Sequence, residues 1–253
     1  MKACLSVLLT IILSTASLLG VADDKDKEFY ELRVYELTGG GSLAPLENYF
    51  TKALIPALNK NGVKNVGVFK ETSKSEPMKV YLLIPYASFS KYLEIKTTLS
   101  KDTEFQKASE AYNKQPADKP IYDRFESYMM LAFDGIPTMK VPENKQRIFE
   151  LRFYQGYNED ATKRKIKMFN DGELEVFYKT KLNPVFFGEV ISGKNMPFLA
   201  YMITFKDMAE RDANWKAFSA DPKWIEMRGA EEYKDTVSKI VRVFLEPMEY
   251  SQI

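Results

Sequence analysis

The segment FYELRVYEL, Phe29 to Leu37, sorts its side chains into two alternating sets: Tyr30, Leu32 and Val34, against Glu31, Arg33 and Tyr35. Successive side chains of a strand point to opposite faces, so this alternation predicts a strand over about 28–37. Leu46, Tyr49, Phe50, Ala53, Leu54, Ala57 and Leu58 then fall on one face at helical spacing. Pro56 should kink that helix, and Asn61-Gly62 should end it. VKNVGVFKE (63–71) and KVYLLIPY (79–86) read as strands around the turn SKSEP, broken helical structure follows over 88–114, and YDRFESYMMLAF (122–133) closes as a strand.

The succession then repeats. A strand in RIFELRFYQ (147–155) precedes helices over about 160–180 that break at Asn170–Glu173. Strands in NPVFFGEVIS and PFLAYMITF, a helical stretch over 207–224 interrupted at Pro222, and a last strand in VSKIVRVFLEPM complete it. Glu31, Leu32, Arg33 and Tyr35 recur 119 residues later as Glu150, Leu151, Arg152 and Tyr154. The same offset relates Leu99 to Phe218, Ser100 to Ser219, Asp102 to Asp221 and Phe105 to Trp224. Registers that agree at both ends of a unit indicate duplication.

Strand–helix–strand–strand–helix–strand is the ferredoxin-like arrangement, and its sheet needs a partner on one face. The expected fold is α+β: two tandem ferredoxin-like units, 23–133 and 146–253, joined by a linker over 134–145. Their sheets pack on each other as a pseudodimer resembling a dimeric α/β barrel. In this reading the apolar sets pack beneath the helices. The polar sets, Glu31, Arg33 and Tyr35 with Glu150, Arg152 and Tyr154, then line the shared lumen. The closing strands add Arg124, Glu126 and Tyr128, and later Arg242. Desolvated charges must pair, so these residues form either an internal ion-pair network or a polar cavity whose arginines grip an anionic ligand.

The N-terminus carries Lys2, a continuous apolar run from Cys4 to Gly20, and small residues before the acidic start of the next segment. This is the pattern of a signal peptide over 1–22, which implies export to the periplasm or beyond. Removing it removes the only cysteine, and the chain has no histidine. Thiol nucleophiles, Ser-His-Asp triads and His-Zn sites are thereby excluded. No cofactor or metal is expected, and no catalytic residue is identified. With 36 basic and 35 acidic residues, no global field favours nucleic acid. No later apolar run can span a membrane.

YELRVYEL, FELRFY and RDANWKAFSADPKW resemble the NIPSNAP family, with Arg211, Trp215, Phe218, Asp221, Pro222 and Trp224 forming its downstream box. The first unit departs from the pattern, with Thr103 in place of the proline and Phe105 in place of the tryptophan. The resemblance implies a dimeric α+β barrel fold of the ferredoxin-like kind and transfers no catalytic residues; with the leader, the chain reads as an exported bacterial member with tandem units. Helical spacing of Trp215, Phe218 and Trp224 reads as core packing. Gly39–Gly41 reads as a turn with Ser42 as cap, and the run KRKIK, Lys163 to Lys167, as a solvated helix face. The favoured function is non-catalytic: binding of a small anionic or aromatic ligand, or interaction with other proteins, by a monomeric pseudodimer or a homodimer. The alternative is a cofactor-independent enzyme, of monooxygenase or isomerase kind, working in the lumen.

Overall fold

In a computed structural model, residues 27–37, 42–73, 75–143 and 147–253 are described. The leader and the glycine run Gly39–Gly41 lie outside them. The first unit comprises β1 (Phe29–Leu37), α1 (Ala44–Tyr49), α2 (Ile55–Lys60), β2 (Gly67–Glu71), β3 (Lys79–Tyr86), α3 (Phe89–Lys101), α4 (Thr103–Ala108), α5 (Glu110–Asn113) and β4 (Tyr122–Ala132). The second comprises β5 (Ile148–Gln155), α6 (Glu159–Met168), α7 (Leu174–Lys179), β6 (Pro184–Ser192), β7 (Phe198–Phe205), α8 (Met208–Ala220), α9 (Pro222–Gly229) and β8 (Lys239–Pro247). Most elements of the two units start 119 residues apart.

The eight strands close into an antiparallel barrel in the order β1-β3-β2-β8-β5-β7-β6-β4. Each unit contributes four neighbouring strands, and the seams are β2 with β8 and β4 with β6. Closure leaves no free sheet edge. Helix starts follow local chemistry: Ser88, Asn158 and Asp207 each accept a backbone N–H at the head of α3, α6 and α8. Asp102 and Asp221 do the same for α4 and α9, and each also pairs with a lysine, Lys60 and Lys179 respectively, again 119 residues apart. The Asp-Pro-x-Trp box is thus a helix start. The interruptions expected at Pro56 and Asn170–Glu173 occur as widened π turns at Phe50–Leu54 and Phe169–Glu173.

The two strand faces are the reverse of the sequence expectation. Tyr30, Leu32 and Val34 do not lie beneath the helices. With Phe149, Leu151 and Phe153, and apolar residues from the other strands, they fill the lumen. Met139 from the connector and Ile253 from the C-terminal end join that cluster. Tyr35 packs instead with Leu46, Phe50 and Leu54 of the first helical layer, and Tyr154 with Phe169, Leu174 and Phe177 of the second. An eight-stranded barrel encloses little more than its own side chains. Charges placed mid-lumen would be surrounded by apolar side chains, whereas the helix-covered face of the second unit brings additional donors from α8. The polar sets therefore lie outside the lumen, and Arg242, opposite Arg152 on the neighbouring strand, is on that outer face too. Tyr128 does point inward, and Glu126 sits at a mouth of the barrel.

A filled lumen has a measurable cost of cavity. Leu32→Ala and Leu151→Ala should each lower unfolding free energy by about 2–5 kcal/mol, the range for burying less in a core that cannot collapse. Urea denaturation checks this, and a loss below about 1 kcal/mol at both sites would point to an open lumen.

Candidate functional site

Each copy of the Glu-x-Arg-x-Tyr strand builds a polar constellation under its own helices. In the first, Arg33 grips Glu31 two-pronged, Nε to Oε1 at 2.6 Å and Nη2 to Oε2 at 3.0 Å. Tyr86 and Ser127 each donate a further bond to Glu31 at 3.2 Å. In the second, Glu150 is fully buried and accepts from Arg152 at 2.7 Å, from Arg211 at 2.9 and 3.1 Å, and from the Trp215 indole at 3.1 Å. Arg152 also donates to Tyr154 at 2.8 Å and stacks on Trp215 with its guanidinium carbon 4.0 Å from the ring centre. Among the described residues no hydrogen bond joins the two constellations. The six residues expected around one shared lumen are split into two separate networks, because the barrel wall stands between them.

The charges of the second network are matched. Burial alone pushes the Glu150 carboxyl up, but Arg211 and Arg152 outweigh it and hold the group below the usual carboxylate range. A carboxylate engaged on all sides in this way positions its partners and offers no free lone pair to a ligand.

A second charged pair lies nearby, and its lysine belongs to the run expected as a solvated helix face. Lys165, inside the basic run, is buried and bonds Glu173 at 2.6 Å. Its ammonium lies 4.5 Å from the Phe169 ring centre, 5.3 Å from Trp224 and 5.9 Å from Tyr154. The π turn brings the pair together. Residues eight apart on a regular helix are about 80° out of phase, and one inserted residue cuts this to about 20°. Glu173 is desolvated strongly enough that its pKa is raised, although Lys165 pulls it down.

The pair forms part of the wall of a cavity of about 400 Å³ between the outer face of the second half-sheet and the layer of α6, α8 and α9. Tyr154, Trp215, Trp224 and Tyr233 give it aromatic sides, and Arg228 lies on its rim. Arg228 is exposed and forms no ion pair among the described residues. Phe218 is core, as expected, whereas Trp215 and Trp224 are half-buried and face the cavity. Hollows of about 460 and 420 Å³ along the connector are larger. Both border residues 144–146, outside the described set, and no buried charged residue lines either.

The first unit shows what the fold does at these positions without a charged pair. At the 119-residue offset, Leu46 stands for Lys165 and Leu54 for Glu173, both buried. Leu82 replaces Tyr201 and Lys96 replaces Trp215. Tyr49 and Tyr112 stack at 3.9 Å between ring centres and pack against the same apolar layer. The first cleft is greasy, with Tyr49 and Tyr112 beside a hollow of about 360 Å³; the second keeps two charges at the wall of its own. The signal for Lys165 and Glu173 was present in the sequence as two charged residues aligned with leucines on an otherwise apolar helix face.

The Glu150 network gives a pH-dependent prediction. Its depressed pKa means that it contributes stability above the ordinary value near 4.5 and loses that contribution as pH falls below it. Glu150→Ala leaves two guanidiniums without their acceptor and should cost about 3–5 kcal/mol at pH 7. Denaturation of wild type and variant between pH 7 and pH 3 should show the gap narrowing on acidification.

The NIPSNAP family profile matches residues 30–118 and 149–252. No curated protein matches the chain. A protein from Lactobacillus acidophilus NCFM, provisionally named a monooxygenase, overlays 87% of this chain and 94% of its own at 12% identity, with a TM-score of 0.56. A similarly named protein from Fusobacterium nucleatum overlays 88% and 93% at 10% identity, with a TM-score of 0.55. A NIPSNAP family protein with unknown function from Agrobacterium tumefaciens str. C58 overlays 43% of this chain and 95% of its own at 18% identity, with a TM-score of 0.38. Likeness at such identities is a likeness of fold. The two matched segments span well over half of the sequence, one in each repeat, and the chain belongs to the NIPSNAP family as a tandem of two such domains.

Proposed function

We propose that the protein is a non-catalytic binding protein that takes a small aromatic or anionic molecule into the helix–sheet cleft of its second unit. The observation that carries this reading is the Lys165–Glu173 pair beside an open cavity, where the first unit places Leu46 and Leu54. The leucines show that the scaffold is satisfied by hydrocarbon at these positions. Removing two ions from water costs several kcal/mol per ion before their attraction offsets it. A feature that the fold does not need, at a cavity with aromatic walls, is what a ligand site requires.

The apolar run ahead of Asp23 supports export, with cleavage after about Ala22, to the periplasm or outside the cell. The closed barrel supports a monomer whose two units complete each other. Near-balanced charge speaks against nucleic acid, and no helix among the described residues is long and apolar enough to cross a membrane. A competing reading is turnover without a cofactor, favoured by the raised pKa of Glu173 at the cavity wall, as a general acid or base would have.

The chain has two tryptophans, Trp215 and Trp224, and both line the cleft, so its intrinsic emission reports on occupancy. Titration with 8-anilinonaphthalene-1-sulfonate should give saturable energy transfer from tryptophan at one site per chain. Trp224→Ala should weaken it at least tenfold, about 1.4 kcal/mol. Binding that Trp224→Ala leaves unchanged would remove the site from this cleft, and turnover of a bound compound that stops in Glu173→Gln would favour the enzyme.

A further inference from the structure

With the cleft taken as the ligand site, as proposed above, we infer that its ligand is a planar aromatic carboxylate that displaces Glu173 from Lys165, so that binding takes up one proton. Three features of the site support this. Lys165 is the one buried ammonium at the cavity wall among the described residues, and three aromatic rings surround it. Rings attract a cation placed against them, so they hold the ammonium in position whichever anion faces it. Its present partner, Glu173, is the weaker holder: it is buried and has no other side-chain hydrogen bond among the described residues, whereas Glu150 has three partner side chains. Trp215, Trp224, Tyr154 and Tyr233 then give a flat ring apolar surface, and Arg228 at the rim is a cation with no ion pair among the described residues.

The exchange balances. The ligand carboxylate takes the place of Glu173 on the Lys165 ammonium, no covalent bond forms or breaks in the ligand, and Glu173 accepts one proton from solvent. The groups facing the pair do not compete for that proton. Arg152 on β5 is committed to Glu150 and Tyr154. Tyr201 on β7 donates to Tyr154, and burial pushes its own ionisation far up. Tyr233 donates to Asp171, and Lys223 of α9 pairs with Glu175. Glu173 already has a raised pKa with Lys165 beside it, and losing that cation raises it further.

The test is isothermal titration calorimetry of the whole protein with indole-3-acetate and with its neutral amide, in phosphate and in Tris at the same pH. For the carboxylate, the dependence of heat on buffer should give about one proton taken up per ligand, and affinity should fall about tenfold for each unit of rising pH near neutrality. The amide should bind at least tenfold more weakly with no proton change. Glu173→Gln, neutral from the start, should bind the carboxylate more tightly, with no proton uptake and a flat pH profile. The double substitution Lys165→Leu with Glu173→Leu copies the first unit, so it should fold and lose the preference for the carboxylate. Carboxylate binding without proton uptake, or a preference that survives the double substitution, overturns the proton-linked exchange. An amide that binds as tightly as the carboxylate, with tryptophan emission changing, also overturns it while leaving the cleft as a ligand site. Neither compound binding overturns both.

Discussion

Closure of the barrel is the constraint on which the rest depends. Two four-stranded sheets that share both seams enclose a channel that eight strands can fill with their own side chains. Apolar side chains occupy its middle, and polar groups such as Glu126 are left to the mouth. Tyr30, Leu32, Phe149 and Leu151 therefore face inward, each fully buried. The polar members of the same strands must turn outward, where a helical layer can bring donors to them.

The outward face has more freedom because its second wall is made of helices. Arg211 and Trp215 of α8 reach down to Glu150, and Lys165 of α6 meets Glu173 across the π turn. A strand cannot be re-aimed without shifting its register. A helix that covers a sheet can change its side chains, its tilt or one turn and leave the barrel intact. The two units make the comparison within one molecule: strand frames of the same order, one cleft lined by leucine and stacked tyrosine, the other by a charged pair.

Much of this architecture was legible in the sequence. The 119-residue repeat followed from recurring residues, the order of elements from hydrophobic spacing and the partner role of the second sheet from both, and the barrel has that arrangement. The choice of face was not legible. Alternation separates Glu31, Arg33 and Tyr35 from Tyr30, Leu32 and Val34 without stating which set a helix will cover. The two sets differ in polarity, and the intuition that helices cover the greasier set fails when the other side is a sealed lumen. Lys165 was hidden for a different reason. Inside KRKIK it has charged neighbours on both sides, and only its alignment with Leu46 marks its helical position as inward. The π turn, which fixes the partnership with Glu173, leaves no compositional mark, since one copy has Pro56 nearby and the other Gly172 within it.

Duplication also bears on why a costly pair persists in one unit. Folding needs two half-sheets, but it does not need two equal clefts. With hydrocarbon at Leu46 and Leu54 in the first unit, the stability of the shared barrel is supported from that side, and the second can hold an ion pair whose desolvation a single small domain would tolerate poorly. The Glu150 network belongs with that support: it fixes Arg152 and Trp215 beneath α8, so that the aromatic wall stands in one place with or without a ligand. The structural pair and the pair at the cavity are thus separated by function within a few residues. One carboxylate is saturated with donors, and the other has a single side-chain partner among the described residues.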